Sequence, residues 1–356
     1  MSWYSKIYGF VREYRERHWL LGFFLYQLLN CMFVLQICGA VYFFYVYNFV
    51  FLQHWVTNDV QRTVYAVVYN FLIFMWSWSL AQTCVTRVAR VPERYHVSDG
   101  VDKKIKDLTA FENGRYAPFS KSTAYQHLVL QRKILTDAAA NLNLKFAEED
   151  DWKRLRYCYD CKLIKPDRAR HCMSCGFCVL KFDHHCPWIN KCVTYRNYKY
   201  FMLYLIYGVI VIIWSALTMS EGVVRYFINQ QWRDEAGRFA QVLTSIVFLC
   251  CVGVYPLGKL LHDHIILIHV NETTCDQAKP SIIRDDLNAS YNLGTYRNIR
   301  AVFGWGLWAI PLDTRVNDGQ HFPVAYPANT SADRFVVRCA SLLGAEANPS
   351  AKPLPI

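Results

Sequence analysis

Ten cysteine and histidine side chains of the kind that bind metals lie within 35 residues near the middle of the chain. They are Cys158, Cys161, His171, Cys172, Cys175, Cys178, His184, His185, Cys186 and Cys192. Three Cys-x-x-Cys pairs among them have the spacing of zinc knuckles. A structural zinc ion takes four tetrahedral ligands, so two ions need eight of the ten. Two residues are then left over, and we expect one of them to be a cysteine, which a purely structural zinc module does not need. The alternative is that zinc is purely structural and the surplus residues are incidental.

The string Asp183-His184-His185-Cys186 suggests what the surplus residues do. A free thiol has a pKa of about 8.5 and is mostly protonated at neutral pH. A neighbouring histidine can take its proton, and an aspartate can orient that histidine and favour its charged form. We therefore predict a cysteine nucleophile with its base and orienting carboxylate. Zinc would supply folding energy to a segment that is too small to build its own core.

Four apolar runs near the length of a membrane span flank this cluster, and we predict spans at 28–52, 63–84, 200–220 and 239–261. A span needs about 20 predominantly apolar residues. The composition is 53% hydrophobic and 19% charged, which excludes a mostly disordered chain. The alternative is the helical core of a large soluble protein. Charged residues at the ends of all four runs favour the membrane interpretation.

The distribution of lysine and arginine predicts the orientation of the spans. The connection 87–199 carries 22 of these residues, and the tail after His262 carries eight. Arg62 alone lies between the first two spans, and three arginines lie between the third and fourth. Cytosolic loops are enriched in these residues, so both termini and the central segment should be cytosolic. A reducing cytosol disfavours disulfides and favours metal binding by the cysteines.

With these residues in view, the chain resembles the DHHC-type protein S-acyltransferases, or palmitoyltransferases. Their pattern C-x2-C-x9-H-C-x2-C-x2-C-x4-D-H-H-C-x5-C-x4-N-x3-F is filled without a gap from Cys158 to Phe201. The four spans repeat the family layout, and the resemblance covers about residues 20–310. Residues 273–276 resemble the family's TTxE motif, with Asp276 in place of glutamate. Residues 292–304 resemble its C-terminal motif, with Asn298 as a buried structural amide, whereas the DPG motif is not intact at 91–93.

The resemblance implies a mainly α polytopic membrane protein with four transmembrane helices. A cytosolic two-zinc, cysteine-rich domain of short β-hairpins would lie between the second and third spans. It also implies which residues share each metal ion and which remain for catalysis. One zinc would take Cys158, Cys161, His171 and Cys178, the other would take Cys172, Cys175, His185 and Cys192, and Asp183, His184 and Cys186 would be catalytic.

The reaction implied is ping-pong transfer of a long fatty acyl chain from acyl-CoA, such as palmitoyl-CoA. The acyl group would pass through Cys186 to cysteines of membrane-associated proteins. By analogy with the family, Lys165, Arg168 and Arg170 are candidate contacts for the CoA phosphates; the alternative is solvated surface charge. Tyr207, Gly208 and Ser215 are candidates to shape an acyl cavity; the alternative is ordinary helix packing.

We expect an integral membrane protein of the Golgi, endoplasmic reticulum or plasma membrane, with partners that are lipid, acyl-CoA and membrane-proximal substrate cysteines, and no nucleic acid. The expected segments follow the motifs along the chain. They are an interfacial N-terminus (1–27), spans one and two (28–84), a cytosolic linker with a helix (85–156), the catalytic domain (157–199), spans three and four (200–261) and a cytosolic C-terminal region (262–356).

Two other functions compete with the enzyme. A catalytically dead zinc-finger scaffold has no use for Cys186. A zinc transporter would need ionisable residues inside its spans, and the predicted spans have essentially none before Lys259.

Overall fold

The computed structural model describes residues 30–109, 111–112, 115–116, 121–228, 236–284, 288–327 and 335–338. The expected interfacial N-terminus, the first two residues of the first predicted span and the end of the C-terminal region lie outside the described residues.

In the described part of the chain, four helices are long and apolar enough to cross a membrane. They are span 1 (Cys31–His54), span 2 (Asp59–Val85), span 3 (Tyr198–Ile228) and span 4 (Ala236–Val270). Together with the hairpins described below, they confirm the predicted fold class. Spans 3 and 4 continue past the predicted apolar runs, because an α-helix satisfies its own backbone hydrogen bonds in water as well as in lipid.

The spans contain two π-helical stretches, at Val46–Phe51 in span 1 and Leu249–Val254 in span 4. Asparagine side chains begin the first two spans: Oδ1 of Asn30 accepts from the amide of Met32 at 2.9 Å, and Oδ1 of Asn58 accepts from the amide of Gln61 at 3.0 Å. The α-helices are α1 (Cys31–Tyr45), α2 (Leu52–His54), α3 (Asp59–Val85), α4 (Asp99–Asp107), α5 (Lys121–Asn141), α6 (Tyr198–Ile228), α7 (Ala236–Phe248), α8 (Tyr255–Val270), α9 (Thr274–Ala278) and α10 (Thr295–Phe303).

Short antiparallel strand pairs make up the β structure of the described residues. The strands are β1 (Phe111–Glu112), β2 (Arg115–Tyr116), β3 (Glu148–Glu149), β4 (Tyr157–Cys158), β5 (Leu163–Ile164), β6 (Arg170–Cys172), β7 (Phe177–Val179), β8 (Phe182–Cys186), β9 (Lys191–Thr194), β10 (Ile282–Ile283), β11 (Val324–Pro327) and β12 (Phe335–Arg338). Three hairpins, β4–β5, β6–β7 and β8–β9, hold the metal-type residues between spans 2 and 3.

Buried polar contacts fix the cysteine-rich hairpins on the ends of spans 2 and 3. Nδ2 of Asn197 donates to the carbonyls of Cys192 (3.1 Å) and Thr83 (3.3 Å). The Lys191 ammonium donates to the carbonyl of Cys84. Because Asn197 directly precedes span 3, the β8–β9 hairpin cannot shift without moving the start of that span.

The chain after span 4 turns back onto the cysteine-rich hairpins. Span 4 ends at Val270, and the left-handed backbone of the next residue, Asn271 (φ 54°), reverses the chain, a conformation that asparagine tolerates well. Strand β10 then pairs with β3, which precedes the hairpins in sequence. The described residues after span 4 and the hairpins therefore form one cap on spans 2, 3 and 4.

Candidate active site and metal centres

Eight of the ten metal-type residues gather into two clusters of four. The first cluster is Cys158, Cys161, His171 and Cys178, and the second cluster is Cys172, Cys175, His185 and Cys192. The ligand atoms within each cluster all lie within 4.8 Å of one another. This is the grouping that the sequence resemblance implied, and each cluster joins residues of two hairpins.

The spacing of the ligand atoms fits tetrahedral zinc. Bonds of about 2.0–2.3 Å put neighbouring ligands about 3.3–3.8 Å apart. In the first cluster, Nδ1 of His171 lies 3.4, 3.3 and 3.9 Å from the Sγ atoms of Cys158, Cys161 and Cys178, respectively. In the second, Nδ1 of His185 lies 3.6, 3.5 and 3.6 Å from its three sulfur atoms. Both donor sets, three thiols and one imidazole, are a structural zinc type.

The geometry of strand β8 separates metal binding from the remaining chemistry. Successive side chains of a strand point to opposite faces. His185 therefore faces the second cluster, while His184 and Cys186 share the other face. A register shift between Phe182 and His184 interrupts the alternation, and such irregularities re-aim side chains. This shift lets the Asp183 side chain reach the His184 ring, although adjacent residues of a regular strand point to opposite faces.

Asp183, His184 and Cys186 form a connected acid–base group. Nδ1 of His184 lies 2.6 Å from Oδ2 of Asp183, and the His184 ring also hydrogen-bonds the Cys186 thiol. Burial lowers the pKa of His184, whereas its bonds with Asp183 and Cys186 raise it, and the result is about 9. Burial acts to raise the pKa of Asp183, but the bond with His184 holds it below its usual value. An ionised carboxylate therefore stands beside an imidazole that readily takes a proton.

Thr274, at the start of helix α9, fixes the Asp183 carboxylate. Its amide donates to Oδ1 of Asp183 at 3.1 Å, and its hydroxyl donates to the Asp183 carbonyl at 2.7 Å. The Thr-Thr motif is visible in the sequence, but nothing in the pattern gives Thr274 a role. Only the fold brings the residue, 91 positions along the chain, onto the catalytic strand.

Asp276 stabilises α9 and binds Arg168. Its carboxylate and the Thr273 side chain form reciprocal bonds with each other's backbone amides, a capping box at the helix N-terminus. Oδ2 of Asp276 also accepts from Arg168 at 2.7 Å. The aspartate that replaces glutamate in the motif thus has a definite role in the fold.

The environment of Arg168 does not fit a contact with a phosphate in solvent. Its side chain is 0% exposed, and its guanidinium donates to the Asn271 carbonyl (2.8 Å) and to Asp276. The same group lies over the Tyr291 ring at 4.6 Å. In the structure, the contacts of Arg168 are buried and join the hairpins to the chain after span 4.

Lys165 and Arg170, the other two predicted CoA contacts, line a shared pocket of about 160 Å³. Lys279 and Arg154 line it as well. The carboxylates of Asp150 and Asp151 lie in the same pocket and pair with Arg154 and Lys279, respectively. The pocket is therefore rich in both charge types, with a cationic excess.

Cys186 opens onto a large apolar cavity among the four spans. The cavity has a volume of about 560 Å³. Along span 3 its lining runs from Phe201 to Met219, and 18 residues of α-helix extend about 27 Å. Gly208 and Ser215 belong to the lining, as predicted. Tyr207 is outside it, and its hydroxyl donates to the Ala309 carbonyl at 2.8 Å.

Asn298 anchors helix α10 to the end of span 4. It is fully buried, and its Nδ2 donates to the His269 carbonyl at 2.7 Å and to Oδ1 of Asn292 at 2.8 Å. Its Oδ1 accepts from the Leu293 amide at 3.0 Å. These bonds attach the C-terminal motif to the end of span 4, which is the structural role expected from the sequence.

Known proteins are similar to this chain in sequence. A family model described as DHHC palmitoyltransferase matches residues 152–281. The palmitoyltransferase spe-10 of Caenorhabditis elegans is 48% identical over 336 residues, which cover 94% of this chain and 95% of that protein. Human palmitoyltransferase ZDHHC15 is 29% identical over 286 residues (79% of this chain, 78% of that protein). Palmitoyltransferase ZDHHC2 of Danio rerio is 30% identical over 271 residues (75% and 69%).

Proposed function

The chain belongs to the DHHC palmitoyltransferase family and is an integral multi-pass membrane protein S-acyltransferase, and on that premise we propose that it transfers long acyl chains through an acyl-enzyme at Cys186. The observation that carries this proposal is that neighbouring residues of strand β8 lie in different sites, one in a metal-type cluster and the others outside it. His185 lies in a cluster of four ligand-type residues, which is enough to hold one metal ion, so the Cys186 thiol would be free for chemistry.

In the first half-reaction, His184 takes the proton of the Cys186 thiol. The thiolate attacks the carbonyl carbon of the acyl-CoA thioester, a new carbon–sulfur bond forms, and the bond to CoA breaks. The CoA thiolate leaves and takes the proton from His184. Asp183, held by Thr274, keeps Nδ1 of His184 on its carboxylate, so that the other nitrogen can exchange the proton.

In the second half-reaction, a cysteine of a membrane-associated protein gives its proton to His184 and attacks the acyl-enzyme. The Cys186 thiolate leaves and regains the proton. One thioester replaces another in each half, so positioning and activation suffice without an energy source.

The two clusters are assigned to two structural zinc ions. Their distances and donor sets support this, and the hairpins are too short to build a core alone. Zinc would contribute folding energy to strands β4 to β9. Within the proposed chemistry it has no contact with the substrate.

The acyl chain would lie in the cavity below Cys186, where each buried methylene contributes about 0.8 kcal/mol. Trp188, which follows Cys186 closely, lies at the cavity and is half exposed. The CoA phosphates would meet the pocket that Lys165 and Arg170 share, because phosphate binds cationic side chains. Arg168 would not contact the phosphates and would affect this pocket only indirectly, by holding the hairpins against the chain after span 4.

The distribution of lysine and arginine supports an orientation with both termini and the catalytic domain in the cytosol. The membranes proposed for it are those of the Golgi, the endoplasmic reticulum or the cell surface. The boundary of the catalytic domain at 157–199 follows the metal clusters. Substrate cysteines would have to lie near the membrane surface, because Cys186 lies where the hairpins meet spans 2 and 3.

The test is acylation of the purified full-length protein with a clickable palmitoyl-CoA analogue. We expect label that hydroxylamine removes and that is lost in Cys186→Ser, with zinc content unchanged at two per chain. The matched control is Cys275→Ser, a cysteine near the same strand that belongs to neither cluster. We expect it to label at the wild-type level.

Equal hydroxylamine-sensitive labelling of Cys186→Ser would contradict the acyl-enzyme assignment. A loss of zinc in that variant would contradict the assignment of metal ligands, because it would make Cys186 a ligand.

A further inference from the structure

A second histidine lies beside the Asp183–His184 pair. His264 is on span 4 and is 1% exposed. One nitrogen of His264, one nitrogen of His184 and one carboxylate oxygen of Asp183 all lie within 4.8 Å of one another. Neither half-reaction uses His264, and the residue is not among the candidates that the sequence motifs predict.

The ring of His264 forms one wall around the ring of His184, and Phe201 forms another. The ring centroids of His184 and His264 are 5.8 Å apart, and Phe201 lies 5.5 Å from His184 and 5.2 Å from His264. Nδ1 of His264 is 2.9 Å from the Tyr198 hydroxyl. Residues of spans 3 and 4 therefore both pack around the His184 ring.

The second nitrogen of His264 points to a polar role. Its Nε2 is buried and has no hydrogen-bond partner among the described residues. An unpaired buried polar atom is costly, and phenylalanine would fill the same space without that cost. Two hydrogen bonds of about 2.8 Å that meet at one water molecule span about 4.6 Å. One nitrogen of the His264 ring lies within 4.8 Å of a carboxylate oxygen of Asp183 and a nitrogen of His184, a separation that suits such a bridge.

We propose that His264, oriented by Tyr198, is a positioning residue for His184. It limits rotation of the His184 ring, so that Nδ1 stays on Asp183 and the other nitrogen stays on Cys186. Through one water molecule its Nε2 joins the Asp183–His184 pair. This inference rests on the proposed function, since it concerns the base that activates Cys186.

The test compares His264→Phe and His264→Gln with a matched control on the same helix, His262→Phe, whose side chain is 68% exposed. The full-length proteins are assayed in lipid nanodiscs. The measurements are the single-turnover rate constant for acylation of Cys186 at saturating palmitoyl-CoA, the KM for palmitoyl-CoA, and zinc per chain.

We expect the rate constant of His264→Phe to fall about tenfold, since misplacement by 1 Å can cost about a hundredfold. KM should stay within about twofold, and zinc at two per chain, because His264 would contact neither substrate nor metal. His264→Gln should regain part of the rate, because its amide reaches the position of Nε2. His262→Phe should match the wild type.

A wild-type rate constant in His264→Phe would overturn the proposal. So would equal losses in His264→Phe and His264→Gln that come with loss of zinc, because these indicate a purely structural role. Should His264→Phe fail to fold, Tyr198→Phe decides: it keeps both rings but frees His264 to turn, and a wild-type rate constant there overturns the proposal.

Alkylation of Cys186 by iodoacetamide separates this inference from the proposed function, because it needs no acyl-CoA. A wild-type protein that forms no acyl-enzyme refutes the proposed function, and this inference falls with it. The other outcome is a wild-type protein that does form the acyl-enzyme, with alkylation and acylation as fast in His264→Phe as in the wild type. That outcome refutes only the role of His264.

Discussion

At the scale of single residues, Lys181 carries a charge that its surroundings oppose. It directly precedes β8, and its side chain is buried over the Phe322 ring at 5.7 Å. Burial is the main cause that lowers the pKa of Lys181 to about 7, and repulsion by Arg168 is the second. Asp276 and Asp183 favour the charged form but do not offset the loss of water.

The sign of the resulting pH dependence follows from proton binding. The pKa in the folded state is below the ordinary lysine value of 10.5. Between about pH 7 and 10.5 the unfolded chain therefore binds more protons at this site than the folded chain. The contribution of Lys181 to the free energy of unfolding must rise with pH over that window.

We predict that Lys181→Met stabilises the protein at pH 7 and that this advantage shrinks by about 2 kcal/mol at pH 9, since one pKa unit corresponds to about 1.4 kcal/mol. The measurement is the free energy of unfolding of both proteins in detergent at the two pH values. Lys279→Met, which removes an exposed ammonium, should show no such change. Parallel pH dependences of wild type and Lys181→Met would contradict the buried-charge interpretation.

The three predicted CoA contacts show what a sequence can and cannot resolve at this scale. Lys165, Arg168 and Arg170 lie within six residues and look alike in sequence. Arg168 is buried because Asn271 and Asp276, more than 100 positions away, accept its hydrogen bonds. The pattern Asp-His-His-Cys, by contrast, carries its chemistry locally, so those residues could be selected without the fold.

At the scale of elements, spans were predictable and their inner faces were not. Apolar length identifies a helix that crosses the membrane, because every backbone group in lipid must be bonded internally. The cavity depends on where four helices leave space, and that is set by contacts such as Gly208 against Trp76 and Leu257. The irregularity in β8 that turns Asp183 toward His184 likewise leaves no mark in the sequence.

Span 3 should therefore set the length of the acyl chain that the enzyme accepts. Ser215 lies seven residues beyond Gly208, about 10 Å farther from Cys186 along the helix, and both line the cavity. We predict that Ser215→Phe lowers acylation by palmitoyl-CoA at least about fivefold relative to a shorter acyl-CoA, because the ring occupies space needed by the chain end, at about 0.8 kcal/mol per displaced methylene.

The matched control is Leu217→Phe, which adds a ring to an exposed position of the same span. Competition between acyl-CoA donors of different length, read by mass spectrometry of the acyl-enzyme, measures the preference. An unchanged preference in Ser215→Phe, or the same change in Leu217→Phe, would show that the cavity beyond Ser215 does not hold the chain.

At the scale of the whole molecule, the spans and the cap depend on different forces. The spans satisfy their own backbone bonds and pack by apolar and aromatic contacts, such as the stacked rings of Tyr47 and Tyr69. The cap has short strands and two cysteine–histidine clusters, so its folding energy would come largely from metal. Asn197 and Lys191 join the two parts.

Removal of zinc should therefore inactivate the protein while its spans persist. We predict that a strong chelator abolishes acylation of Cys186 and exposes residues 157–199 to protease, because β8 holds both a ligand of the second cluster and the catalytic residues. Helical circular dichroism should fall by no more than about a tenth, since metal-bound segments are strands and turns. Zinc that is added back before the thiols are irreversibly oxidised should restore acylation. Acylation that survives with less than one zinc per chain would contradict the dependence of the catalytic strand on metal, and a collapse of the helical signal would show instead that the cap holds the spans together.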